Sequence, residues 1–311
     1  MKLYRNLKKI STIKNSVVSI GMFDGVHLGH ISVINRVIEI AKEKKSKSII
    51  ITFSNSPTSY FSKDKVELQI TSSQEKIDLF NKTQLDYLFV IEFNEYIANL
   101  APSAFINEIL ISLFNVKFIV FGYDNHFGKN REGTFEYTTQ NFKDIQAELI
   151  IASKKDKITI SSTRIKEEIQ KGHIIQANNL LGHKFSLSGN VVQGMKMGRQ
   201  LGFPTANIAY DASEKILPKN GVYYTLTKLN DKEYISVTNI GVKPSVHESN
   251  VVTVETHILD YNQSIYGQPI TIIFFERIRD EKKFNHLNDL INQISKDVEI
   301  ARKLNSLQIT S

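Results

Sequence analysis

The chain contains no cysteine. That removes disulfides, cysteine-ligated zinc, iron–sulfur clusters and thiol nucleophiles, so packing must hold the fold and chemistry falls to His, Asp, Glu, Ser, Thr or Lys. Proline is scarce, at 6 of 311 residues, and glycine stands at 15, which sets the chain apart from collagen-like and disordered compositions. Long hydrophobic runs are missing as well. The longest, Ser48–Phe53, Tyr87–Val90, Phe118–Phe121 and Ile270–Phe275, have strand length and fall far short of the roughly 20 residues of a membrane helix. Met1–Ile10 is basic, but the apolar stretch Val17–Phe23 contains Ser19 and Gly21 and meets Asp24 without a small-residue cleavage pattern. No secretory signal and no membrane partner are expected, and a cytoplasmic location follows.

What is present is an ordinary globular composition, 41% hydrophobic and 23% charged, at a length that suggests two domains of roughly 150 residues each. The net charge of +7, from 39 Lys+Arg against 32 Asp+Glu, suits nucleic acid, acidic membrane or phosphorylated small molecules equally. Part of it lies in the cluster Lys42, Lys44, Lys45 and Lys47, which reads as a solvated helix end.

The first half alternates strands and helices. Val17–Phe23 reads as a strand, Gly29–Lys44 as a helix with Ile31, Val33, Ile34, Val37, Ile38 and Ala41 on one stripe, and Ser48–Phe53 as a second strand, a βαβ unit. The pattern continues with a helix over Ser73–Lys82, strand Tyr87–Phe93, helix Pro102–Phe114, and strands Lys117–Gly122 and Glu148–Ala152. Continuous strand hydrophobicity means that both faces are covered, so a parallel, doubly wound α/β sheet is expected. Two helical stretches follow, Thr163–Lys171 and Ile174–Leu181.

From Phe185 the rhythm changes to strands spaced by turns: Phe185–Val192, Val222–Leu229, Glu233–Asn239, Val251–Leu259 and Gln268–Phe275. An antiparallel β-barrel is the natural reading. It is closed by an amphipathic helix over Asn285–Leu304 that carries Leu287, Leu290, Ile291, Ile294, Val298, Ile300 and Ala301. The division is placed after residue 182, giving domains 1–182 and 183–311.

The sharpest motif is Gly21-Met22-Phe23-Asp24-Gly25-Val26-His27-Leu28-Gly29-His30, where the first strand meets the first helix and open α/β sheets bind ligands. Glycines at 21, 25 and 29 let backbone approach a phosphate chain, the helix N-terminus supplies N–H groups, and two histidines add donors. The arrangement suits a nucleotide phosphate and departing pyrophosphate. The plain alternative is that His27 and His30 cap a tight turn; a metal site would need ligands beyond Asp24.

Gly122-Tyr123-Asp124-Asn125-His126-Phe127-Gly128-Lys129-Asn130-Arg131 is no P-loop, because five residues separate its glycines and Asn130 replaces the magnesium-binding hydroxyl. Ser161, Ser162, Thr163 and Arg164 cluster where a strand gives way to a helix, which suits phosphate binding and equally an N-cap.

Together these segments resemble the nucleotidyltransferase half of the bifunctional riboflavin kinase/FAD synthetases, with its Gly-x-Phe-Asp-Gly-x-His-x-Gly-His turn, Gly-x-Asp-x-x-Phe-Gly segment and Ile-Ser-Ser-Thr-Arg segment. The resemblance implies a Rossmann-like nucleotidyltransferase sheet in which Gly21, Phe23, Asp24, Gly25, Gly29 and Asp124 border ATP. His27 and His30 would contact its phosphates, Ser161, Ser162, Thr163 and Arg164 would close over them, and Asn125 would face the flavin. FMN would attack the α-phosphate in line and release diphosphate. Two departures stand out: Phe53-Ser54-Asn55-Ser56-Pro57 where relatives carry Phe-Glu-Pro-His-Pro, and Asn125-His126 where an aromatic and an arginine are common.

The second half resembles the riboflavin kinase signature. Gly194, Lys196, Gly198, Gly202 and Pro204 belong to a loop that ends in Gly202-Phe203-Pro204-Thr205-Ala206-Asn207, and the likeness implies that it binds ATP with Thr205 and Asn207 on Mg²⁺. Asn239-Ile240-Gly241-Val242-Lys243-Pro244-Ser245 matches a second segment, with Ser for Thr. Val254-Glu255-Thr256-His257 matches the strand bearing the catalytic glutamate, with Glu255, His257 and Leu259 on one face by alternation. Arg279 and Phe284 fall in the segment that borders the flavin pocket.

The implied function is ATP-dependent phosphorylation of riboflavin to FMN and adenylylation of FMN to FAD, with Mg²⁺ as cofactor, ATP as co-substrate, and riboflavin, FMN and ATP as the small-molecule partners. Two alternatives stay open: a chain that keeps only the kinase, and a flavin- or nucleic-acid-binding regulator, whose nucleic-acid affinity would fall steeply with salt. Nucleic acid is not expected, and the oligomeric state is left open.

Overall fold

The computed structural model describes residues 1–311 except 8–12, 14, 63–66, 152–153, 156–157, 195–197, 199–200, 244–250 and 310–311. Packing divides the chain into two units, Met1–Ser162 and Thr163–Ser311.

The first unit is built on strands β1 (Lys2–Tyr4), β2 (Ser16–Ile20), β3 (Lys47–Phe53), β4 (Tyr87–Ile91), β5 (Val116–Gly122) and β6 (Gln146–Ile150). They pair in the order β1-β4-β3-β2-β5-β6, every pair parallel. Successive residues feed opposite faces, as a pleated strand requires. Val18, Ile49, Ile51 and Phe89 pack against the helical segment 102–114. Val17, Ile50, Leu88 and Val120 pack against helix α1 (Leu28–Glu43) and Phe80 of α2 (Ser73–Asn81). Both faces are thus covered, which explains the unbroken hydrophobicity of the strands. The expected helix Pro102–Phe114 is present, with π-type hydrogen bonding over Phe105–Ile111. A short antiparallel pair, β7 (Lys154–Lys155) and β8 (Ile158–Thr159), follows β6.

From β2 the chain adds β3 and then β4 on one side, and afterwards β5 and β6 on the other. The reversal leaves a crevice at the C-terminal ends of β2 and β5, the place where a parallel sheet accepts a ligand. The glycine-rich turn after β2 and the Gly122–Gly128 segment after β5 both lie there.

The second unit opens with helices α3 (Ser162–Lys171, its first residue counted with the first unit) and α4 (Ile174–Leu181). They count with the barrel because they pack on it. Asn178 donates to the Phe274 carbonyl at 2.9 Å and accepts from the Phe185 amide at 2.7 Å. The barrel itself closes in the order β10-β13-β12-β11-β14-β9. Its strands are β9 (Ser186–Val192), β10 (Thr205–Ala209), β11 (Gly221–Leu229), β12 (Lys232–Lys243), β13 (Val251–Ile258) and β14 (Pro269–Arg279).

Part of the barrel interior is polar. Thr225, Thr227, Ser236, Thr238 and Thr256 are fully buried and hydrogen-bonded to one another, for instance Thr225 to Thr238 at 2.8 Å and Thr238 to Thr256 at 2.9 Å. Mutual satisfaction is what lets hydroxyls stand in a core.

Helix α5 (Leu287–Ile309) lies against the outside of the barrel, with Val298, Ala301 and Leu304 on Val222, Tyr224 and Val237. Leu287 and Ile300, placed on the apolar stripe from sequence, are instead exposed, because Asp297 sets the helix's rotation. Asp297 is 2% exposed and accepts from Arg279 Nη2 at 2.7 Å and Nε at 2.9 Å, and from Gln293 at 2.9 Å. Removing one partner of a buried pair strands the other. Asp297→Ala is therefore expected to cost about 3–5 kcal/mol, read as a lowered midpoint in urea unfolding followed by circular dichroism.

Candidate active sites

The turn after β2 is held in an unusual backbone conformation. Phe23, Gly25 and Val26 have φ of 47°, 78° and 40°, which a β-branched residue adopts only under constraint. The constraints are visible. Asp24 is buried and its Oδ1 accepts from the amides of Ile70 at 2.8 Å and Thr71 at 3.2 Å, while Thr71 Oγ1 accepts from the Gly25 amide at 3.1 Å. Lys76 Nζ and Thr52 Oγ1 both donate to the Met22 carbonyl at 2.9 Å, and Ser162 Oγ donates to the Asp24 carbonyl at 3.0 Å. The Phe23 ring packs edge-on against Phe80.

Beyond the turn, His27 is the N-cap of α1, its Nδ1 accepting from the His30 amide at 3.3 Å. An accepting Nδ1 puts the ring proton of the neutral imidazole on Nε2. The His27 and His30 rings stack at 3.5 Å and 16°. Gly29 permits this, since a Cβ there would stand 3.1 Å from His27 Cε1. Burial, with the neighbouring His27 and Lys76, holds His30 well below the usual histidine range, so it is neutral near pH 7. Its Nδ1 is buried with no hydrogen-bond partner. The capping reading of His27 holds, and its ring stacks on that of His30.

Across the crevice, Asn125 donates from its side chain to the Ile20 carbonyl, tying the turn after β5 to the end of β2. Asp124 is exposed in the same turn, and Ser161 is half-buried just before Ser162. Thr163 and Arg164 belong to the second unit, where Arg164 pairs with Glu168 at 2.6 Å and Glu167 at 3.4 Å. In the segment that departs from the family, Asn55 clamps the Phe93 backbone through both amide atoms, at 2.8 and 2.9 Å. Ser56 caps the short helix Pro57–Phe61. Phe53, Tyr60, Phe61 and Phe93 form an aromatic cluster at the C-terminal ends of β3 and β4, with Phe61 68% exposed. Sequence reasoning passed over Thr71, Lys76 and this cluster; the segment Thr71–Lys76 looked like nothing more than a helix start.

In the barrel, register aligns Asn207, Glu255 and Asn239 directly opposite one another on the adjacent strands β10, β13 and β12. Thr205 Oγ1 lies 3.5 Å from Glu255 Oε2. Gly194 stands over this row, for a Cβ there would fall 2.2 Å from Asn207 Nδ2. Gly198, Gly202 and Pro204 belong to the loop that enters β10; the Phe203 amide donates to the Gly198 carbonyl at 2.8 Å, and Gly202 turns at φ 85°. Lys196 lies outside the described residues, as do Pro244 and Ser245.

His257 Nδ1 faces the Pro204 carbonyl at 2.8 Å, so the proton of the neutral ring sits there, and burial lowers the pKa of this ring too. Leu259 continues the outer face of Glu255 and His257 but is covered by the α5 cluster. A cavity of about 270 Å³ opens beside Pro204 and Thr205, reaching inward to Ala206 and Thr256 and outward to Tyr261 and Tyr266. Arg279 is committed to Asp297 and to the Asp280 carbonyl. Phe284 is half-buried between β14 and α5.

Comparison with known proteins follows the same division. The FAD synthetase family matches residues 9–164 and the riboflavin kinase family residues 181–305. A bifunctional riboflavin kinase/FMN adenylyltransferase of Buchnera aphidicola subsp. Schizaphis graminum is 38% identical, covering 97% of this chain and 98% of its own. One from Bacillus subtilis is 38% identical over 92% and 91% of the two chains. Among solved structures, a macrolide-efflux protein from Streptococcus pneumoniae superposes with a TM-score of 0.88 at 29% identity, covering 97% and 98%. Among the described residues of the present chain no helix is long and apolar enough to cross a membrane.

The neutral His30 makes a pH test. Its folded pKa lies below the unfolded value of about 6.5, so the unfolded chain takes up a proton that the folded chain refuses, and stability falls as pH drops through 6.5. His30→Asn is expected to flatten this slope between pH 7 and 5, measured as the urea midpoint against pH.

Proposed function

The chain belongs to the family of bifunctional riboflavin kinase/FMN adenylyltransferases, and on that premise we propose that its barrel phosphorylates riboflavin and its parallel sheet adenylylates the FMN so formed. The observation that carries the kinase assignment is the row Asn207–Glu255–Asn239 with Thr205 beside it. Glu255 accepts the proton of the riboflavin primary hydroxyl as its oxygen attacks the γ-phosphorus of ATP. The bond to ADP breaks, and FMN and ADP leave.

Thr205 and Asn207 offer neutral oxygens next to the Glu255 carboxylate, a donor set that fits Mg²⁺, a hard cation that one or two protein groups share with nucleotide phosphates. Among the described residues no cluster of three or more His, Asp or Glu could hold a metal by itself, in keeping with a cation that arrives on the nucleotide. When bound, Mg²⁺ supplies charge neutralisation on the phosphates. The cavity beside Thr205 receives ATP, its Tyr261 and Tyr266 suited to a purine ring. Arg279 serves the flavin side through the helix it holds, and Phe284 borders the flavin.

At the sheet, an FMN phosphate oxygen attacks the α-phosphorus of ATP and diphosphate leaves. His27 and His30, the amides of the turn at Gly21, Phe23, Asp24 and Gly25, and the hydroxyls of Ser161 and Ser162 bind the phosphates. Catalysis is positioning and charge stabilisation, without a covalent intermediate. The aromatic cluster around the exposed Phe61, with Asn125 and Asp124 across the crevice, supplies an apolar surface of ring edges and faces for the isoalloxazine ring in place of the family's Phe-Glu-Pro-His-Pro wall. A flavin surface at the sheet favours two working sites over a chain that keeps only the kinase. Both steps take place in the cytoplasm.

Riboflavin and ATP are incubated with the protein and the products separated by chromatography; FMN and FAD should both appear. Glu255→Gln should lower FMN formation by about 10²–10⁴-fold, and unchanged turnover would sink its assignment as base. His30→Ala should abolish FAD formation from added FMN while leaving FMN formation intact.

A further inference from the structure

Thr205 and Asn207, the two β10 side chains beside Glu255, are not held equally by the sheet. β10 pairs with β13 from Thr205 onward but with β9 only from Asn207, which stands between Glu255 and Val192. Thr205 therefore has a paired strand on one side only. It is also the first residue of β10, leaving a loop that turns at Gly202 with φ 85°. Pro204, just before it, has no N–H to give to a ladder. Backbone pairing alone leaves the peptide that carries Thr205 the least fixed part of the row.

His257 makes up the difference. It lies on β13 directly opposite Thr205 and shares a face with Glu255, two positions earlier. Its Nδ1 meets the Pro204 carbonyl at 2.8 Å, and its ring packs edge-to-face with that of Phe203, the centroids 5.6 Å apart at 84°. Phe203 is closed back onto the loop by its amide, which donates to the Gly198 carbonyl at 2.8 Å. The imidazole thus grips two successive residues where the loop becomes a strand. Because a peptide unit is planar, fixing the direction of the Pro204 carbonyl fixes the amide and Cα of Thr205 with it. The Thr205 hydroxyl then stands 3.5 Å from Glu255 Oε2, at the cavity that Pro204 also borders. A histidine that only satisfied its own ring could use any carbonyl; this one holds the carbonyl one residue ahead of a proposed magnesium ligand.

We propose that His257 is a positioning residue of the kinase site, holding the Pro204–Thr205 peptide so that the Thr205 hydroxyl is in place beside Glu255 for the magnesium-bound nucleotide. The proposal rests on the kinase reading and deepens it.

The test uses the full-length chain as wild type, His257→Phe, His257→Asn and His257→Leu. His257→Phe keeps a ring against Phe203 and removes the donor, whereas His257→Asn keeps an amide donor at the place of Nδ1. In FMN formation, His257→Phe should raise the Mg²⁺ concentration for half-maximal rate about tenfold or more, the loss typical when a group that orients a metal ligand is removed, with the KM for riboflavin unchanged. A second readout needs no turnover: hydrogen exchange over residues 203–209, followed by mass spectrometry while ADP is titrated. His257→Phe should shift the midpoint of ADP protection about tenfold with Mg²⁺ present, equivalent to about 1.4 kcal/mol, and leave it unchanged without Mg²⁺. His257→Asn should recover most of both. Where circular dichroism shows that His257→Phe fails to fold, His257→Leu carries the same expectation.

A folded His257→Phe or His257→Leu with wild-type Mg²⁺ dependence in both readouts overturns the proposal. So does an equal loss of ADP protection with and without Mg²⁺, or a loss that His257→Asn fails to restore, the mark of a merely structural role. Absence of FMN from the wild type would instead overturn the kinase reading, and with it the basis for His257.

Discussion

Phe23, Gly25 and Val26 all sit at positive φ within four residues, and the two that carry side chains each store roughly 1–3 kcal/mol of backbone strain. A segment in that state persists only if its surroundings over-determine it. Here they do so with buried polar groups. Asp24 holds the backbone of residues 70 and 71, Thr71 returns the bond to Gly25, and Thr52 and Lys76 share the Met22 carbonyl. The strained turn and its clamp fix the stacked His27–His30 pair at the start of α1, and the order of the sheet puts the crevice beside that turn. The rest of the first unit is the scaffold for that one turn.

The barrel solves a comparable problem by register. Antiparallel pairing places Asn207, Glu255 and Asn239 abreast on three neighbouring strands, so no loop has to deliver the carboxylate to its neighbours. Gly194 lies against the Asn207 side chain, and Gly198 against the Phe203 carbonyl, at distances that a side chain would forbid. Rigid strands carry the carboxylate, and Gly194 lies against Asn207 at its side. The positive balance of the chain finds its counterpart in ATP and FMN, whose phosphates both proposed sites receive.

Much of this was legible in the sequence. Apolar runs such as Ser48–Phe53 and Tyr87–Val90 gave β3 and β4 to within a few residues because buried parallel strands are hydrophobic on both faces. The Gly21–His30 motif announced its place between strand and helix. β10 (Thr205–Ala209) escaped as a strand because it is short and its outward residues are polar, so the same letters read as a ligand-bearing loop. β1 (Lys2–Tyr4) escaped because an edge strand of three residues has no periodicity to read. Lys76 was invisible for a different reason. Its neighbours spell an ordinary capping box, and only the packing of α2 under the turn buries a residue that local pattern assigns to solvent. Arg279 carries a tie that no motif announces: its guanidinium pairs with Asp297, 18 positions away on α5.

The five hydroxyls inside the barrel have a consequence for how this chain could change over time. Each of Thr225, Thr227, Ser236, Thr238 and Thr256 is satisfied by another member of the set. Each has two partners in the set, so replacing one by an apolar residue removes two hydrogen bonds worth about 0.5–1.5 kcal/mol each and leaves every neighbour with a partner. The five hydroxyls close into a ring, and a ring can lose any one member while every other keeps a partner, so the polar interior can change one residue at a time.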